Sequence, residues 1–216
     1  YDCYLRRLFC PLDRWGESRW DDRNSSCNCG SSTAGTGYGF ADPPRKHPVT
    51  SQTLFAIGST PIDFTHGAVL KLWEMGELSL DDPITQYFED VPRDKHGITL
   101  EHLRTGVSGL QNFHGIEGVD ENLDLSWIDR ETAMRRIFER ELLFEPGTGE
   151  AHSHSAWGVL AAVVEIVSGQ TYDDFLKEHF FEPAGMDRTG PYPMTLHFPE
   201  EEVAVGLGGN TFGEVN

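Results

Sequence analysis

With 216 residues, 38% of them hydrophobic and 11% aromatic, the chain is long enough for one large domain or two small ones around a packed core. The formal net charge of −18 argues against nucleic acid as a partner, because phosphates attract basic surfaces, and against an anionic membrane surface. No apolar run reaches the roughly 20 residues that span a bilayer, and the first residues lack the apolar stretch of a signal peptide. We therefore expect a soluble protein, with its compartment left open.

The first 36 residues differ in composition from the rest of the chain. They show no sustained period and end in a run of Gly, Ser and Thr, so we predict a loop or disordered lead at 1–36 and a domain at 37–216. All four cysteines lie in this lead, and their spacing matches no zinc pattern, which leaves both disulfides and free thiols open. They are Cys3, Cys10, Cys27 and Cys29.

From residue 37 the pattern becomes regular. Residues 37–42 are predicted to form a short strand that ends at two prolines. Ser59 is suited to N-cap the first long helix, with Pro61 in its first turn and Gly76 as its stop. The apolar residues that recur at helical spacing in this segment are Ile62, Val69, Leu72 and Trp73.

Four further helices are predicted downstream. Thr99 caps a short one that ends near 105, and Thr171 caps one that runs to about 180. A longer helix is expected over 129–142, with its arginines facing solvent. Residues 155–167 are apolar on nearly every side, which predicts a buried helix that Gly169 stops. We assign Trp73, Trp157 and Phe175 to the core.

Six blocks in this order resemble the serine beta-lactamase and penicillin-binding-protein-like superfamily, most closely its class C beta-lactamase-related and esterase branch. No single block is decisive, but the ordered set is specific and covers roughly residues 37–208. The blocks are 53–59, 70–72 with 76–84, 98–103 with 108–110, 144–148, 167–172 and 182–186.

The resemblance implies an α+β fold, in which an antiparallel sheet flanked by helices meets an all-helical region and the active site lies between them. It also implies acyl transfer through a serine ester, with a Ser-x-x-Lys pair, a Tyr-x-Asn element and a later Lys-Thr-Gly-like strand. No cofactor is implied, and the expected partner is a small ester or amide substrate.

The chain departs from this pattern where the chemistry would lie. Ser59 occupies the nucleophile position, but the position of the lysine is taken by Ile62. The Tyr-x-Asn element reads His152-Ser153-His154, and the third motif would lie beyond residue 216. We therefore expect a domain that is incomplete at its C-terminus, and the departures also fit a truncated fragment.

Three interpretations of these residues stay open. A serine hydroxyl needs a base to become nucleophilic, and isoleucine cannot accept a proton, so Ser59 could serve only as a helix cap in a non-catalytic binding protein. Alternatively, His152 replaces the tyrosine as general base, with His154 beside it, and supports slow hydrolysis. A third alternative is a metal site in which His152 and His154 join Asp63 and His66.

We favour a beta-lactamase-related serine hydrolase that cleaves amide or ester bonds through an acyl-serine, with impaired catalysis because of Ile62. The candidate catalytic residues are Ser59, His152 and His154, and no metal ligand is assigned. The sequence does not specify the substrate or the oligomeric state.

Overall fold

The computed structural model describes residues 37–57, 60–112, 129–190 and 198–205. The predicted lead with its four cysteines lies outside these residues, and so does Ser59. Within the described part, the helices form a continuous apolar core, and a small set of extended segments lies at residues 37–57 and 198–205.

The extended segments form a short antiparallel pair with one added bridge. Strand β1 (Phe40–Asp42) pairs with β2 (His47–Pro48), with Phe40 opposite Pro48. Residues 203–205 reach both neighbours, because Leu54 forms a parallel bridge to Val203 and the Val205 N–H donates to the Ala41 carbonyl at 2.8 Å. The strand predicted at 37–42 is therefore confirmed over its second half.

Helix α1 (Pro61–Met75) is the first long helix, and Thr60, the residue before it, has helical backbone angles and makes no side-chain capping bond. The predicted cap, Ser59, lies outside the described residues. At its other end Gly76 adopts φ 79° and its N–H binds the carbonyls of Leu72 and Trp73, as expected for a glycine stop.

The buried stripe of α1 follows a regular helical spacing. Thr65, Ala68, Val69 and Leu72 are buried, at intervals of three and four residues. The prediction that Trp73 is a core residue is wrong, because its side chain is 53% exposed. Trp73 follows Leu72 in the sequence and lies at the edge of the buried stripe, where no described element covers it.

Helix α2 (Leu100–Arg104) is capped by Thr99, whose side chain accepts the His102 N–H, and two glycines with positive φ follow it. Helix α3 (Arg130–Phe138) buries Met134, Ile137 and Phe138, but it ends four residues earlier than predicted. Beyond the helix, the Leu143 N–H donates to the Gly109 carbonyl at 2.8 Å, so the chain there pairs with the turn after α2.

Helix α4 (His154–Ser168) is the central buried helix, and it packs on α1, α2 and α3. Ser153 caps it by accepting the Ala156 N–H, and Gly169 at φ 69° ends it, as predicted. The segment that precedes it, residues 150–153, lies against the end of α2.

Helix α5 (Tyr172–Leu176), capped by Thr171, continues through a wide π-helical turn (Lys177–Phe181) into α6 (Glu182–Ala184). The rings of Phe180 and Phe181 both lie edge-on to Phe64 of α1, at centroid distances of 6.5 and 5.1 Å. The predicted helix at 171–180 is thus present, and Phe175 is buried as expected. No helix in the described ranges is long and apolar enough to cross a bilayer.

Candidate active site

A cleft of about 210 Å³ lies where the end of α2 meets the segment that leads into α4. Residues 103–106 line one wall, and 150–153 with Ala156 and Trp157 line the other. The walls are joined by a backbone hydrogen bond of 2.9 Å from the Ala151 N–H to the Gly106 carbonyl. Gly106 has φ 78°, so glycine suits this close approach and leaves the cleft without a side chain at that point.

Two of the predicted site residues, His152 and His154, lie together, and His152 lines this cleft. His152 is exposed at the rim, whereas His154 is half-buried as the first residue of α4. Their rings meet edge-on at 4.9 Å, and the Trp157 ring contacts them at 4.5 Å and 5.1 Å respectively. The His154 N–H donates to the side-chain oxygen of Asn112 at 2.7 Å, which fixes the start of the helix.

Trp157 also joins this group to helix α1. Its indole N–H donates to Nε2 of His66 at 3.0 Å. Burial, followed by the positive charge of Arg104, lowers the pKa of His66, and the Asp63 carboxylate opposes this shift. We call His66, His152, His154 and Trp157 the imidazole–indole cluster.

The charge of Arg104 at the cleft wall is matched by a neighbour on its own helix. Its guanidinium donates to both carboxylate oxygens of Glu101, at 2.8 and 2.6 Å. These hydrogen bonds lower the pKa of Glu101 and raise the pKa of Arg104. Arg104 is therefore held in a paired geometry on its own helix.

The predicted nucleophile and the lysine position lie at the start of α1. Ser59 is outside the described residues, and Ile62 is half-buried in the first turn of the helix. The structure therefore brings His152, His154 and His66 together but gives no separation between His152 and Ser59.

The residues of the alternative metal site are arranged differently. Within 37–57, 60–112, 129–190 and 198–205, no three His, Cys, Asp or Glu side chains gather as metal ligands. Nε2 of His66 already receives the Trp157 N–H, and Asp63 is exposed on α1. The geometry gives the metal interpretation no support.

Sequence reasoning missed the hydrogen bond between His66 and Trp157. It treated Trp157 as a core residue and His66 as a possible ligand or a packing residue, and the two are 91 positions apart. The sequence offered one signal, which is a tryptophan with an indole N–H one turn into a helix that begins beside two histidines. This signal does not identify the hydrogen-bond acceptor.

The fold is that of a beta-lactamase/transpeptidase-like α+β protein, with the described sheet restricted to its short antiparallel pair. The Beta-lactamase family profile matches residues 27–199, and the chain belongs to this family.

The chain is similar in sequence to relatives that carry different functional names. The chain is 29% identical to penicillin-binding protein 4* of Bacillus subtilis over 74% of its own length and 35% of that protein. It is 33% identical to esterase EstB of Burkholderia gladioli over 70% of its length and 42% of the esterase. The chain thus spans between a third and a half of these relatives.

Solved structures give the same result. The D-amino acid amidase of Ochrobactrum anthropi, complexed with L-phenylalanine amide, superimposes with a TM-score of 0.67 at 28% identity. The match covers 77% of this chain and 46% of the amidase chain. A penicillin-binding protein from Bacillus halodurans gives a TM-score of 0.66 at 26% identity, over 78% and 52% of the two chains.

Proposed function

We propose that the protein is a serine hydrolase that cleaves a small ester or amide through an acyl-serine, with Ser59 as nucleophile and His152 as general base. Support comes from the family and from relatives whose names include an esterase and D-aminopeptidases. The observation that carries the proposal is the placement of an exposed imidazole, His152, at the rim of the cleft and against Trp157, which is bonded to the helix that follows Ser59.

The reaction needs one proton carrier. The Ser59 hydroxyl oxygen bonds to the carbonyl carbon of the substrate while its proton passes to an imidazole nitrogen of His152. The tetrahedral adduct collapses, the bond to the alcohol or amine breaks, and the leaving group takes that proton. Water then attacks the acyl-serine, again giving a proton to His152, and the acid departs as the proton returns to Ser59.

Ester hydrolysis tests the proposal directly. We expect p-nitrophenyl acetate to be cleaved by the parent chain, with kcat reduced about 100-fold or more in Ser59→Ala and in His152→Ala. His179→Ala is the matched control, because it removes an imidazole that packs against Phe175, outside the cleft lining, and keeps the proposed base. Free imidazole should partly restore His152→Ala and not Ser59→Ala. Equal rates in the parent and Ser59→Ala would refute the proposal.

The second candidate is a non-catalytic protein that binds a small molecule in the same cleft, and Ile62 favours it because isoleucine cannot accept the serine proton. A fluorescent penicillin or fluorophosphonate separates the two. Labelling of the parent that disappears in Ser59→Ala supports the hydrolase, whereas no labelling supports the binding protein. Ile62→Lys supplies a potential base, and we expect it to increase the labelling rate about tenfold or more.

A further inference from the structure

In the hydrogen bond between Trp157 and His66, the donor and the acceptor cannot exchange roles. An indole N–H can only donate, so Nε2 of His66 must be unprotonated to accept it at 3.0 Å. In that state His66 is neutral and carries its proton on Nδ1. Once His66 is protonated, both of its ring nitrogens are donors, and the bond to Trp157 is lost.

Trp157 in turn is the surface against which His152 packs. His152 lies in the non-helical segment before the Ser153 cap, and its ring is exposed. Its ring contacts those of Trp157 at 4.5 Å and His154 at 4.9 Å, both edge-on. An edge-on aromatic contact depends on the orientation of both rings. The rotamer of Trp157 therefore sets where the His152 imidazole can rest.

The bond also crosses between the two most closely packed long helices. His66 is on α1, whose first turn follows Ser59, and Trp157 is on α4, whose N-terminus follows His152. A contact that joins these helices near their N-terminal ends fixes the first turns of α1 and α4 relative to each other.

We infer that His66 and Trp157 are a positioning pair, which orients His152 for catalysis only while His66 is neutral. The inference rests on the proposed function for its catalytic consequence, but the geometry it specifies can be measured without activity.

The charged groups near His66 set the direction of the pH response. Arg104 of α2 and burial both disfavour the imidazolium, and Asp63 on α1 favours it. From α4 it faces Trp157, beyond which lie the titratable rings of His152 and His154. Since its pKa is lowered, His66 should accept the indole N–H throughout the neutral range and release it only in acid.

Two substitutions of His66 separate the bond from the charge. His66→Gln offers a carbonyl oxygen to the indole N–H but does not titrate near neutrality, whereas His66→Leu offers no acceptor. Trp157→Phe keeps a ring for His152 and has no N–H. Thermal unfolding of each variant, followed by circular dichroism, confirms that it is folded at the temperature of the measurement.

Proton–nitrogen NMR of the indole groups provides the first readout. The Trp157 signal is identified by its loss in Trp157→Phe. We expect it downfield in the parent at neutral pH, moving upfield by about 1 ppm or more in acid, fixed downfield in His66→Gln, and fixed upfield in His66→Leu. The ring signals of His152, identified by their loss in His152→Gln, should move in His66→Leu and stay near the parental position in His66→Gln. Unchanged Trp157 and His152 signals in His66→Leu would overturn the inference.

Ester hydrolysis provides the second readout. We expect kcat to fall about 10-fold to 100-fold in His66→Leu, with KM within about twofold, because misorientation of a base affects the chemical step. His66→Gln should recover most of the loss, because its carbonyl oxygen can accept the indole N–H. A kcat in His66→Leu equal to the parent overturns the inference, as does a Gln variant as slow as the Leu variant. If Ser59→Ala hydrolyses at the parental rate, the proposed function fails, and the NMR signals alone decide whether the pair positions His152.

Discussion

The helical body, residues 60–112 and 129–190, and the strand region, residues 37–57 and 198–205, are held together in different ways. The helical body buries a continuous apolar cluster in which Val69, Val159 and Leu160 have no exposed surface. The strand region leaves several of its largest apolar side chains in solvent, including Tyr38, which is 84% exposed, and Phe40 and Phe55.

Backbone hydrogen bonds and charged side chains make most of the contacts that hold the strand region together. Leu54 exchanges backbone bonds with both sides of Val203, and Arg188 donates to Glu202 at 2.6 Å and to the Gln52 carbonyl at 2.7 Å. Arg188 also lies over the Phe198 ring at 4.4 Å. The comparison teaches that stability should depend on side-chain volume in the helical body and on polar geometry in the strand region.

Truncating one apolar side chain in each region should give the largest contrast. Leu72 is 1% exposed and Phe55 is 55% exposed. Leu72→Ala leaves a cavity, and we expect a loss of about 2 to 5 kcal/mol in the free energy of unfolding. Phe55→Ala should cost less than about 0.5 kcal/mol. Urea titration followed by circular dichroism measures both. Trp73→Ala, on the next residue of α1, is the control for a large side chain that is exposed, and losses of equal size would remove the distinction.

A pair of glycines with the same φ of 76° tests the packing difference on the backbone. At Gly109 an added Cβ would collide with the carbonyl oxygen of Phe144, whereas at Gly39 it would meet no atom within 4 Å. Gly39→Ala should cost about 1 to 2 kcal/mol from the left-handed conformation alone. Gly109→Ala adds the collision, so we expect about 2 to 4 kcal/mol. If both variants melt at the same temperature, the Gly109 turn can accommodate a Cβ beside the Phe144 carbonyl oxygen.

Polar contacts of the two regions should differ in their response to salt. The hydroxyl groups of Tyr172 and Thr65 lie 2.7 Å apart and link α5 to α1, and burial raises the pKa of Tyr172. Tyr172→Phe should cost about 1 kcal/mol at any salt concentration. Glu202→Gln breaks the half-exposed pair with Arg188 and should cost up to about 1 kcal/mol in dilute buffer. Unfolding at 0.02 M and 1 M NaCl is the measurement, and screening should abolish only the Glu202 effect. Tyr172→Phe with Thr65→Val tests whether the two hydroxyls act as a pair.

The smallest expected effect is a pH dependence confined to the helical body. Folding lowers the pKa of His66, so below its ordinary value of 6.5 the unfolded chain binds more protons than the folded chain. The contribution of His66 is therefore complete above that value and is lost as the pH falls through the window below it. His66→Gln should flatten stability across this window relative to the parent. A parental curve retained in the variant would assign the slope to other groups.

Local signals predicted much of the helical body. Glycines placed after the apolar periods stop α1 and α4 where expected, because a left-handed residue satisfies the last carbonyls without neighbours. Thr99 and Thr171 cap helices for the same local reason. The end of α3 and the exposure of Trp73 were not predictable in this way, since each depends on whether a distant segment packs there.

The candidate site also has a part that local signals predicted and a part that depends on distant contacts. Its blocks in sequence order singled out His152, which lines the cleft, and His154 beside it, although their roles stay a prediction. The hydrogen bond from Trp157 to His66 could not be predicted, because no local pattern determines which histidine of nine a tryptophan 91 positions away will reach. The sequence therefore indicated the candidate base but not the contact that we propose to orient it.

The wide turn at Lys177–Phe181 restricts the number of residues in this segment more than it restricts their type. In a regular helix consecutive side chains diverge by about 100°, yet Phe180 and Phe181 both reach Phe64. Deleting a single residue here would restore the regular period and rotate everything beyond it, including Met186, whose N–H binds the Phe181 carbonyl at 2.8 Å. Homologues that keep this packing should thus vary freely at exposed positions such as Glu178 while conserving the number of residues in the turn.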